Sequence, residues 1–426
     1  MEDLQAPGLK SDPVFKDSRK ATYLNAEGAD KALKSPVPRE VLDRARSYRL
    51  GRLRDRCATA DCAALLLYDP CNIRYAFDCS NMQVWCLHTP LRYALIFADG
   101  PAIMFEFKGC MKQSEGLPGI DELRTARTWM FMTLGDKSDT AVAAWADEIA
   151  DLVRIHGSGN RRIACDRLDG VATHALEARG LAYVEGTPIT EIARSIKSGD
   201  EIELMRWTIR VCEAGLARVY DRSLPGATER ELWAQLHFEN ARSGGDWLET
   251  KLLTAGPRTN PWYQECSDRA CRAGEMISLD TDMIGPYGYC ADVSRSWTCA
   301  YTPMTGRQHR LYETALAQVQ HNLDLVRPGM DFAEFNEKSW KIPKRHVPYR
   351  YSLAVHGVGM ADEWPVVPLH VDWSDLAMSG RFEPGMVVCV ESLVAERGSE
   401  SVKLETQALV TETGCERLDS FPYEIS

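Results

Sequence analysis

The chain has 426 residues and a formal net charge of −11, from 50 Lys and Arg against 61 Asp and Glu. Apolar residues make up 45% and charged residues 26%, which is ordinary for a globular enzyme with a large core. The acidic balance and the lack of a long basic run argue against a nucleic-acid partner. Apolar stretches are shorter than the roughly 20 residues of a membrane-spanning helix, and residues 1–20 lack the apolar segment of a secretory signal, so we expect no membrane segment.

The fourteen cysteines include no C-x-x-C pair, which argues against a zinc ribbon or a thioredoxin-like site. Several lie inside apolar runs, such as 163–165 and 387–390. This pattern predicts buried, reduced thiols, and with the missing signal it indicates a cytoplasmic protein.

The first part of the chain reads as an arm followed by an α/β region. Residues 1–44 are polar and carry four prolines, which predicts an extended arm. The pattern then predicts a helix over about 39–56, a turn at Asp69-Pro70, a helix over about 141–155, and strands over 63–68, 93–97, 102–107 and 162–165. We find no catalytic motif there, and we divide the chain into the arm, a domain over 45–190 and a domain over 191–426.

A repeated pattern organises the second domain. Ser198-x-x-Glu201 and Thr228-x-x-Glu231 are capping boxes that each predict the start of a helix. The pattern Pro-Gly-x-[Thr/Asp]-x-x-Glu occurs at 225–231 and again at 328–334, each time between two predicted helices and before a run of strands. Chance is the simpler explanation of one such match, but the repeated order of elements favours an internal duplication into two α/β halves.

Three aspartates follow the first helix pair. Residues 276–283 read as a strand in which Asp280 and Asp282, two positions apart, project from the same face. Gly285 to Gly288 turns the chain back, and the return strand over 289–297 carries Asp292. Three carboxylates in one hairpin are unfavourable unless a positive group compensates them.

Two glutamates and a histidine follow in the second half. A strand from Met386 carries Glu391, its hairpin partner over 402–410 carries Glu405, and His356 lies in a His-Gly-x-Gly element. Each acid alone is more simply a surface residue or half of a salt bridge, and the histidine alone a core residue. Together they form an oxygen-rich set with one imidazole, which suits two bridged divalent metal ions. The set is Asp280, Asp282, Asp292, His356, Glu391 and Glu405.

Segments 288–295, 356–359, 383–391 and 404–414 resemble, in order, the motifs of the pita-bread metalloenzymes: methionine aminopeptidase, aminopeptidase P, prolidase and creatinase. The resemblance implies an α/β (α+β) fold with a C-terminal pita-bread domain of two pseudo-symmetric halves and a smaller creatinase-type N-terminal domain. It implies ligand roles for Asp292, His356, Glu391 and Glu405. The first ligand is Asp280, Asp282 or both, because neither has the family's usual spacing to Asp292.

Two departures from the peptidases of this superfamily bear on function. Trp262 stands where they keep a histidine after a proline, and Asp362-Glu363-Trp364-Pro365 stands where they keep His-Glu-x-Pro. Both lost histidines handle protons in hydrolysis, so their absence argues against a working peptidase. A partly desolvated carboxylate at Asp362 suits proton abstraction instead. We predict that Trp262 and Trp364, with Tyr351, face a cationic group, although core packing is the commoner fate of tryptophan.

Over the whole chain this pattern resembles the DddP-type dimethylsulfoniopropionate lyases. The resemblance implies β-elimination of dimethylsulfoniopropionate to dimethyl sulfide and acrylate, with Asp362 as the general base. It implies two divalent metal ions, with iron expected and manganese, zinc or cobalt as alternatives. It also implies a homodimer. The substrate would be a small zwitterion with an onium group and a carboxylate. Whether the arm or the loop around Trp85 completes a partner's pocket is left open.

Two other functions are alternatives to the lyase. A metallohydrolase of the aminopeptidase P or prolidase type would use a metal-bound water, and the two missing histidines count against it. A catalytically inactive binding module is the third possibility, and the intact ligand set counts against that.

Overall fold

The computed structural model describes residues 32–423. Residues 1–31, most of the predicted arm, lie outside the described residues. Residues 32–38 carry no helix or strand, and the first helix begins at Arg39. Within the described part of the chain, no helix is both long and apolar enough to cross a bilayer.

Helices flank the sheets throughout residues 32–423. They are α1 Arg39–Thr59, α2 Pro70–Phe77, α3 Gln83–Cys86, α4 Phe131–Leu134, α5 Ser138–His156, α6 Gly170–Glu177, α7 Thr187–Ser195, α8 Gly199–Asp221, α9 Glu229–Arg242, α10 Gly306–Leu325, α11 Phe332–Lys338 and α12 Trp373–Leu376.

The strands fall into one sheet before residue 187 and three after it. They are β1 Ala64–Leu67, β2 Tyr93–Phe97, β3 Ala102–Glu106, β4 Glu122–Thr125, β5 Arg162–Cys165, β6 Ala182–Glu185, β7 Trp247–Leu248, β8 Leu253–Ala255, β9 Met276–Leu279, β10 Met283–Ile284, β11 Cys290–Ala291, β12 Arg295–Thr298, β13 Leu353–Val358, β14 Asp362–Pro368, β15 Val387–Val394, β16 Val402–Val410 and β17 Cys415–Arg417.

The first sheet is a mixed six-stranded sheet in the order β4-β3-β2-β1-β5-β6. Successive side chains of a strand point to opposite faces, and the central strand β1 is buried on both. Leu66 packs in one hydrophobic cluster with Trp145 of α5, whereas Leu65 packs in another with Leu53 of α1. Helices therefore cover both faces, which confirms the predicted α/β character of this region.

One prediction in this region is wrong. Asp69-Pro70, interpreted as a turn, begins helix α2, because the Asp69 carboxylate accepts the Cys71 backbone N–H at 2.7 Å and proline suits the first helical position. The predicted domain boundaries after residues 44 and 190 fall inside α1 and α7, so each is crossed by a continuous helix.

The helix pairs of the second region confirm the repeated order of elements. Both predicted capping boxes are present, at the starts of α8 and α9. Thr305 forms a further box with Gln308 at the start of α10. Asp331 makes no capping hydrogen bond, and the helix it precedes, α11, has only 7 residues. In both halves a long and a shorter helix precede the strands that carry the acids.

The two acid-bearing strands of the first half are interrupted, contrary to prediction. Residues 276–283 divide into β9 and β10, with Asp282 at a φ of 36°, and the return strand divides into β11 and β12. Thr281 explains the breaks: its hydroxyl donates to the Ala291 carbonyl at 2.8 Å and accepts the Val293 N–H at 2.9 Å. Hydrogen bonds of the Thr281 side chain thus replace backbone hydrogen bonds between the strands at the level of the aspartates.

The second half forms an antiparallel five-stranded sheet in the order β14-β13-β15-β16-β17. Strands β15 and β16 pair over eight residue pairs, from Val387 opposite Leu409 to Val394 opposite Val402. The Glu405 N–H donates to the Ser294 carbonyl at 3.1 Å, which joins this sheet to the broken strands of the first half. The acids of both halves meet along that junction.

Candidate metal centre and active site

Strand register accounts for three of the predicted ligands meeting on one face. His356 pairs with Cys389, and Glu391 pairs with Glu405. Directly paired residues share a face, and so do residues two apart on one strand, such as Cys389 and Glu391. His356, Glu391 and Glu405 therefore project to the same side of the sheet. The His356 Nε2 atom lies 3.1 Å from Glu405 Oε1 and 3.7 Å from Glu391 Oε1.

The aspartates of the first half face this side. The possible ligand atoms of Asp280, Asp282 and Asp292 lie within 4.8 Å of one another, and Asp292 Oδ2 is 3.4 Å from His356 Nε2. The Ser294 hydroxyl contacts Asp280 Oδ1 and Glu405 Oε2, both at 2.7 Å, and so ties the two halves together. All six residues predicted as ligands therefore lie in one buried cluster.

Two buried oxygen atoms of the cluster have no hydrogen-bond partner among the described residues: Asp292 Oδ1 and Glu391 Oε1. A buried carboxylate oxygen without a partner is unfavourable unless a cation compensates it. The donor set is hard oxygen with one imidazole. The residues present therefore fit divalent metal ions.

Burial and neighbouring charges shift the pKa values of the clustered residues. Burial, and then the charge of Glu405, raises the pKa of Asp292 well above its ordinary value. Burial also raises the pKa of Glu391, to about 8. Burial would raise the pKa of Glu405 too, but Lys403 and His356 reverse the effect and lower it. Burial would lower the pKa of His356, but Asp362, Glu405 and Glu391 raise it well above its usual range.

Lys403 is a member of the cluster that sequence reasoning missed. Its side chain is fully buried, and its Nζ atom lies 2.8 Å from Glu391 Oε2, 2.9 Å from Glu405 Oε2 and 3.2 Å from Asp280 Oδ2. The sequence feature that could have identified Lys403 is its position two residues before Glu405 on β16, which puts both side chains on the same face. Burial would lower the pKa of Lys403, but the three carboxylates keep it well above its ordinary value.

Thr250 and Cys389 were also missed. The Thr250 hydroxyl donates to Asp282 Oδ2 at 2.5 Å, and no sequence pattern indicated this long-range contact. The Cys389 sulfur lies within 4.8 Å of ligand atoms of Asp292, His356 and Glu405, but burial raises the pKa of this thiol well above its ordinary value. All fourteen cysteines are free thiols, and eleven of them are buried.

Asp362, the predicted general base, stands at the open edge of the cluster. Its Oδ1 atom is 3.7 Å from His356 Nδ1, and 63% of its side chain is exposed. Partial desolvation raises the pKa of Asp362, and the neighbouring His356 opposes that rise. The next residue, Glu363, is fully buried and forms ion pairs at 2.9 Å with both Arg194 and Lys197.

The predicted aromatic residues have close neighbours. Trp262 and Tyr351 are half-buried, with ring centres 5.9 and 5.2 Å from the Lys403 Nζ atom. Trp364 is also half-buried, and its ring packs edge-on against Phe332 at 5.7 Å. Trp85 is 37% exposed on the N-terminal domain. The roles given to these side chains stay predictions.

Comparison with known proteins agrees with this geometry. Residues 203–412 match metallopeptidase family M24. The chain is 39% identical to the dimethylsulfoniopropionate lyase DddP of Roseobacter denitrificans over 389 residues, which is 89% of this chain and 86% of that protein. It is also 39% identical to the protein of the same name from Roseovarius nubinhibens, over 90% of this chain and 87% of that one.

Solved structures of lower identity match the fold. An Xaa-Pro dipeptidase from Bacillus anthracis superposes with a TM-score of 0.72 at 20% identity, covering 89% of this chain and 99% of that one. The prolidase from Pyrococcus horikoshii superposes with a TM-score of 0.70 at 17% identity, with the same coverage. The predicted fold, an N-terminal α/β domain followed by a pita-bread domain, is confirmed. The chain therefore belongs to the family of the dimethylsulfoniopropionate lyases named DddP and carries the domain of metallopeptidase family M24.

Proposed function

We propose that the protein cleaves dimethylsulfoniopropionate into dimethyl sulfide and acrylate by β-elimination. Two relatives at 39% identity along about nine-tenths of the chain carry the name of that activity. The observation that carries the proposal is the position of Asp362: a carboxylate at the edge of a buried acidic cluster, open to solvent on one side and 3.7 Å from His356 on the other.

Asp362 acts as the general base in this proposal. Its carboxylate takes a proton from the carbon next to the substrate carboxylate. The electrons of that C–H bond form the new C=C bond, the C–S bond breaks with its electron pair on sulfur, and dimethyl sulfide leaves neutral. Burial raises the pKa of Asp362, which makes its carboxylate a stronger base.

The buried cluster would hold two divalent ions through the six residues already named. When bound, these ions supply positive charge that stabilises negative charge developing on the substrate carboxylate. Iron remains the proposed metal and a homodimer the proposed assembly. Elemental analysis and light scattering of the purified protein test these two points.

The experiment compares Asp362→Asn with the wild type in a headspace assay for dimethyl sulfide. We expect a loss of about 10²- to 10⁴-fold in rate, the usual contribution of a positioned base. Metal content should stay unchanged, because the Asp362 side chain is 63% exposed and is not one of the six proposed ligands. Asp375→Asn, an exposed aspartate on α12, is the matched control and should keep full activity. Dimethyl sulfide release by Asp362→Asn at the wild-type rate would remove this residue from its role.

A metallohydrolase is the second candidate, because the domain matches family M24 and the fold matches prolidases. It would use metal-activated water on an X-Pro dipeptide. Trp262 and Asp362 stand where the peptidases carry histidines, so we expect no measurable dipeptide cleavage. Cleavage at a rate above that of dimethyl sulfide release would favour the hydrolase.

A further inference from the structure

The aromatic rings predicted to hold the substrate's cation already face a cation of the protein. The ammonium of Lys403 lies over the rings of both Trp262 and Tyr351, at 5.9 and 5.2 Å. Three carboxylates hold that ammonium at 2.8 to 3.2 Å, and it is fully buried. A second positive group against the same rings would be repelled by this like charge.

Trp364 is no better placed for this task. Its ring packs against Phe332, and a Cβ at Gly380 would lie 3.2 Å from its Cζ2 atom. Its backbone N–H is held by Glu191 at 2.9 Å. One face of the residue therefore belongs to the packing between α11 and β14.

A cavity of about 140 Å³ lies between the N-terminal domain and the segment that leads to Asp362. Met360 and Ala361, directly before Asp362, line it. Trp247 and Glu249 on and after β7 form the next wall. The Glu249 N–H donates to the Asp282 carbonyl at 3.0 Å, so this wall is attached to the ligand cluster.

The N-terminal domain closes the cavity through α2. Asp69 and Arg74 lie on that wall, together with apolar Pro70 and Leu87. Arg74 is one basic group against the two acidic residues of the lining, and its guanidinium pairs with Asp246 at 3.4 Å and with Asp78 at 2.8 Å, which it shares with Arg46. Asp69 and Glu249 therefore leave the cavity with an excess of negative charge.

The chemistry of these walls suits an onium group. A sulfonium or quaternary ammonium carries its charge behind methyl groups, so it prefers aromatic and apolar contacts with acidic groups nearby. Trp247, Leu87 and Met360 supply the contacts, and Asp69 and Glu249 supply the charge. Asp69 and Glu249 line the cavity from the two domains, and Ala361, the residue directly before Asp362, lines it as well.

We propose that this cavity, walled by Asp69, Trp247 and Glu249, is the cation subsite, and that it takes the trialkyl onium end of the substrate. The inference rests on the proposed function, which supplies an onium carboxylate as substrate. The carboxylate end then lies at the ligand cluster, the acidic carbon beside Asp362, and the leaving group in the cavity. Trp262 and Tyr351 instead shield Lys403.

The test measures binding rather than turnover. Calorimetry on the metal-loaded protein compares 3-(trimethylammonio)propionate with 4,4-dimethylpentanoate, its isostere in which an uncharged tert-butyl group replaces the cation. We expect the wild type to prefer the cation. Glu249→Gln should lower this preference by about 3- to 5-fold, the upper range of a charge pair at an exposed side chain, while affinity for the tert-butyl isostere stays within about twofold. Trp262→Phe and the exposed control Glu177→Gln should keep the preference.

Each outcome decides the proposal. An unchanged preference in Glu249→Gln, or its loss in Trp262→Phe, overturns the cation subsite, and so does a wild type without preference. Trp247→Leu provides a second variant on the same wall and should also lower the preference. Failure of the proposed function is visible separately: a wild type that prefers the cation but releases no dimethyl sulfide contradicts the lyase and leaves the subsite standing.

Discussion

Replacing Lys403 by methionine tests whether its ammonium holds the acidic cluster together in the absence of metal. The side chain is fully buried and contacts Asp280, Glu391 and Glu405 at 2.8 to 3.2 Å. Removing one partner of a buried ion pair leaves uncompensated charge and lowers the free energy of unfolding by about 3 to 5 kcal/mol. We expect a loss of that size for the metal-free variant, measured by urea denaturation in the presence of a chelator.

The pH dependence of this loss has a defined sign. The pKa of Lys403 is raised, so its stabilising charge is fully present at every pH below about 10. The pKa of Glu391 is about 8, so this partner is mostly neutral at pH 6 and mostly charged at pH 9. The loss caused by Lys403→Met should therefore be larger at pH 9 than at pH 6.

Two comparisons make the result decisive. Lys251→Met removes a lysine that is 59% exposed and 3.4 Å from Glu265, and should change stability by less than about 0.5 kcal/mol. Divalent metal should raise the melting temperature of Lys403→Met more than that of the wild type, because the ions neutralise carboxylates that the variant leaves unpaired. A metal-free Lys403→Met as stable as the wild type would refute the reasoning.

Two further predictions concern residues away from the ligands. Glu363→Gln removes the buried partner of Arg194 and Lys197, so we expect the free energy of unfolding to fall by about 3 kcal/mol. Dimethyl sulfide release should also slow, because the residue next to Asp362 is no longer anchored. Burial raises the pKa of Asp166 to about 6, so the folded protein keeps this proton at pH values where the unfolded chain has lost it. The wild-type free energy of unfolding should therefore fall by about 2 to 3 kcal/mol from this group as pH rises from about 4 to about 6. Asp166→Asn should remove that part of the pH dependence, measured by urea denaturation across this range.

A control variant and a contradicting result can be named for both predictions. Glu106→Gln is the control for Glu363→Gln, because Glu106 is equally buried and pairs with Arg92 at 2.6 Å in the N-terminal domain. It should lose similar stability but keep the release rate per folded molecule; equal rates in both variants would mean that Glu363 does not position Asp362. A stability profile of Asp166→Asn parallel to the wild type would contradict the raised pKa.

Local patterns predicted much of the fold. The strands over 162–165 and 402–410 have the predicted bounds, since turn residues limit each apolar run. Both predicted capping boxes were correct because that signal is complete within four residues. The break between β9 and β10 was not predicted, because it arises from Thr281 bonding to residues about ten positions away.

The candidate site was predictable where spacing alone sets geometry. Glu391 and Glu405 meet because a hairpin fixes their register. Lys403 was missed because a lysine in an alternating strand normally faces solvent, and only the junction of the two halves buries it. The clamp on Glu363 was missed for a similar reason: Arg194 and Lys197 lie more than 160 positions earlier in the chain.

The cavity beside Asp362 takes its walls from both domains, whereas all six clustered ligand side chains come from the second domain. The proposed recognition site therefore depends on both domains, whereas the proposed metal ligands belong to one domain. On this proposal, we expect substitutions on α2 to change the preference among onium compounds without changing metal content. A chimera that exchanges residues 1–186 between relatives would inherit its reaction type from one parent and part of its discrimination from the other.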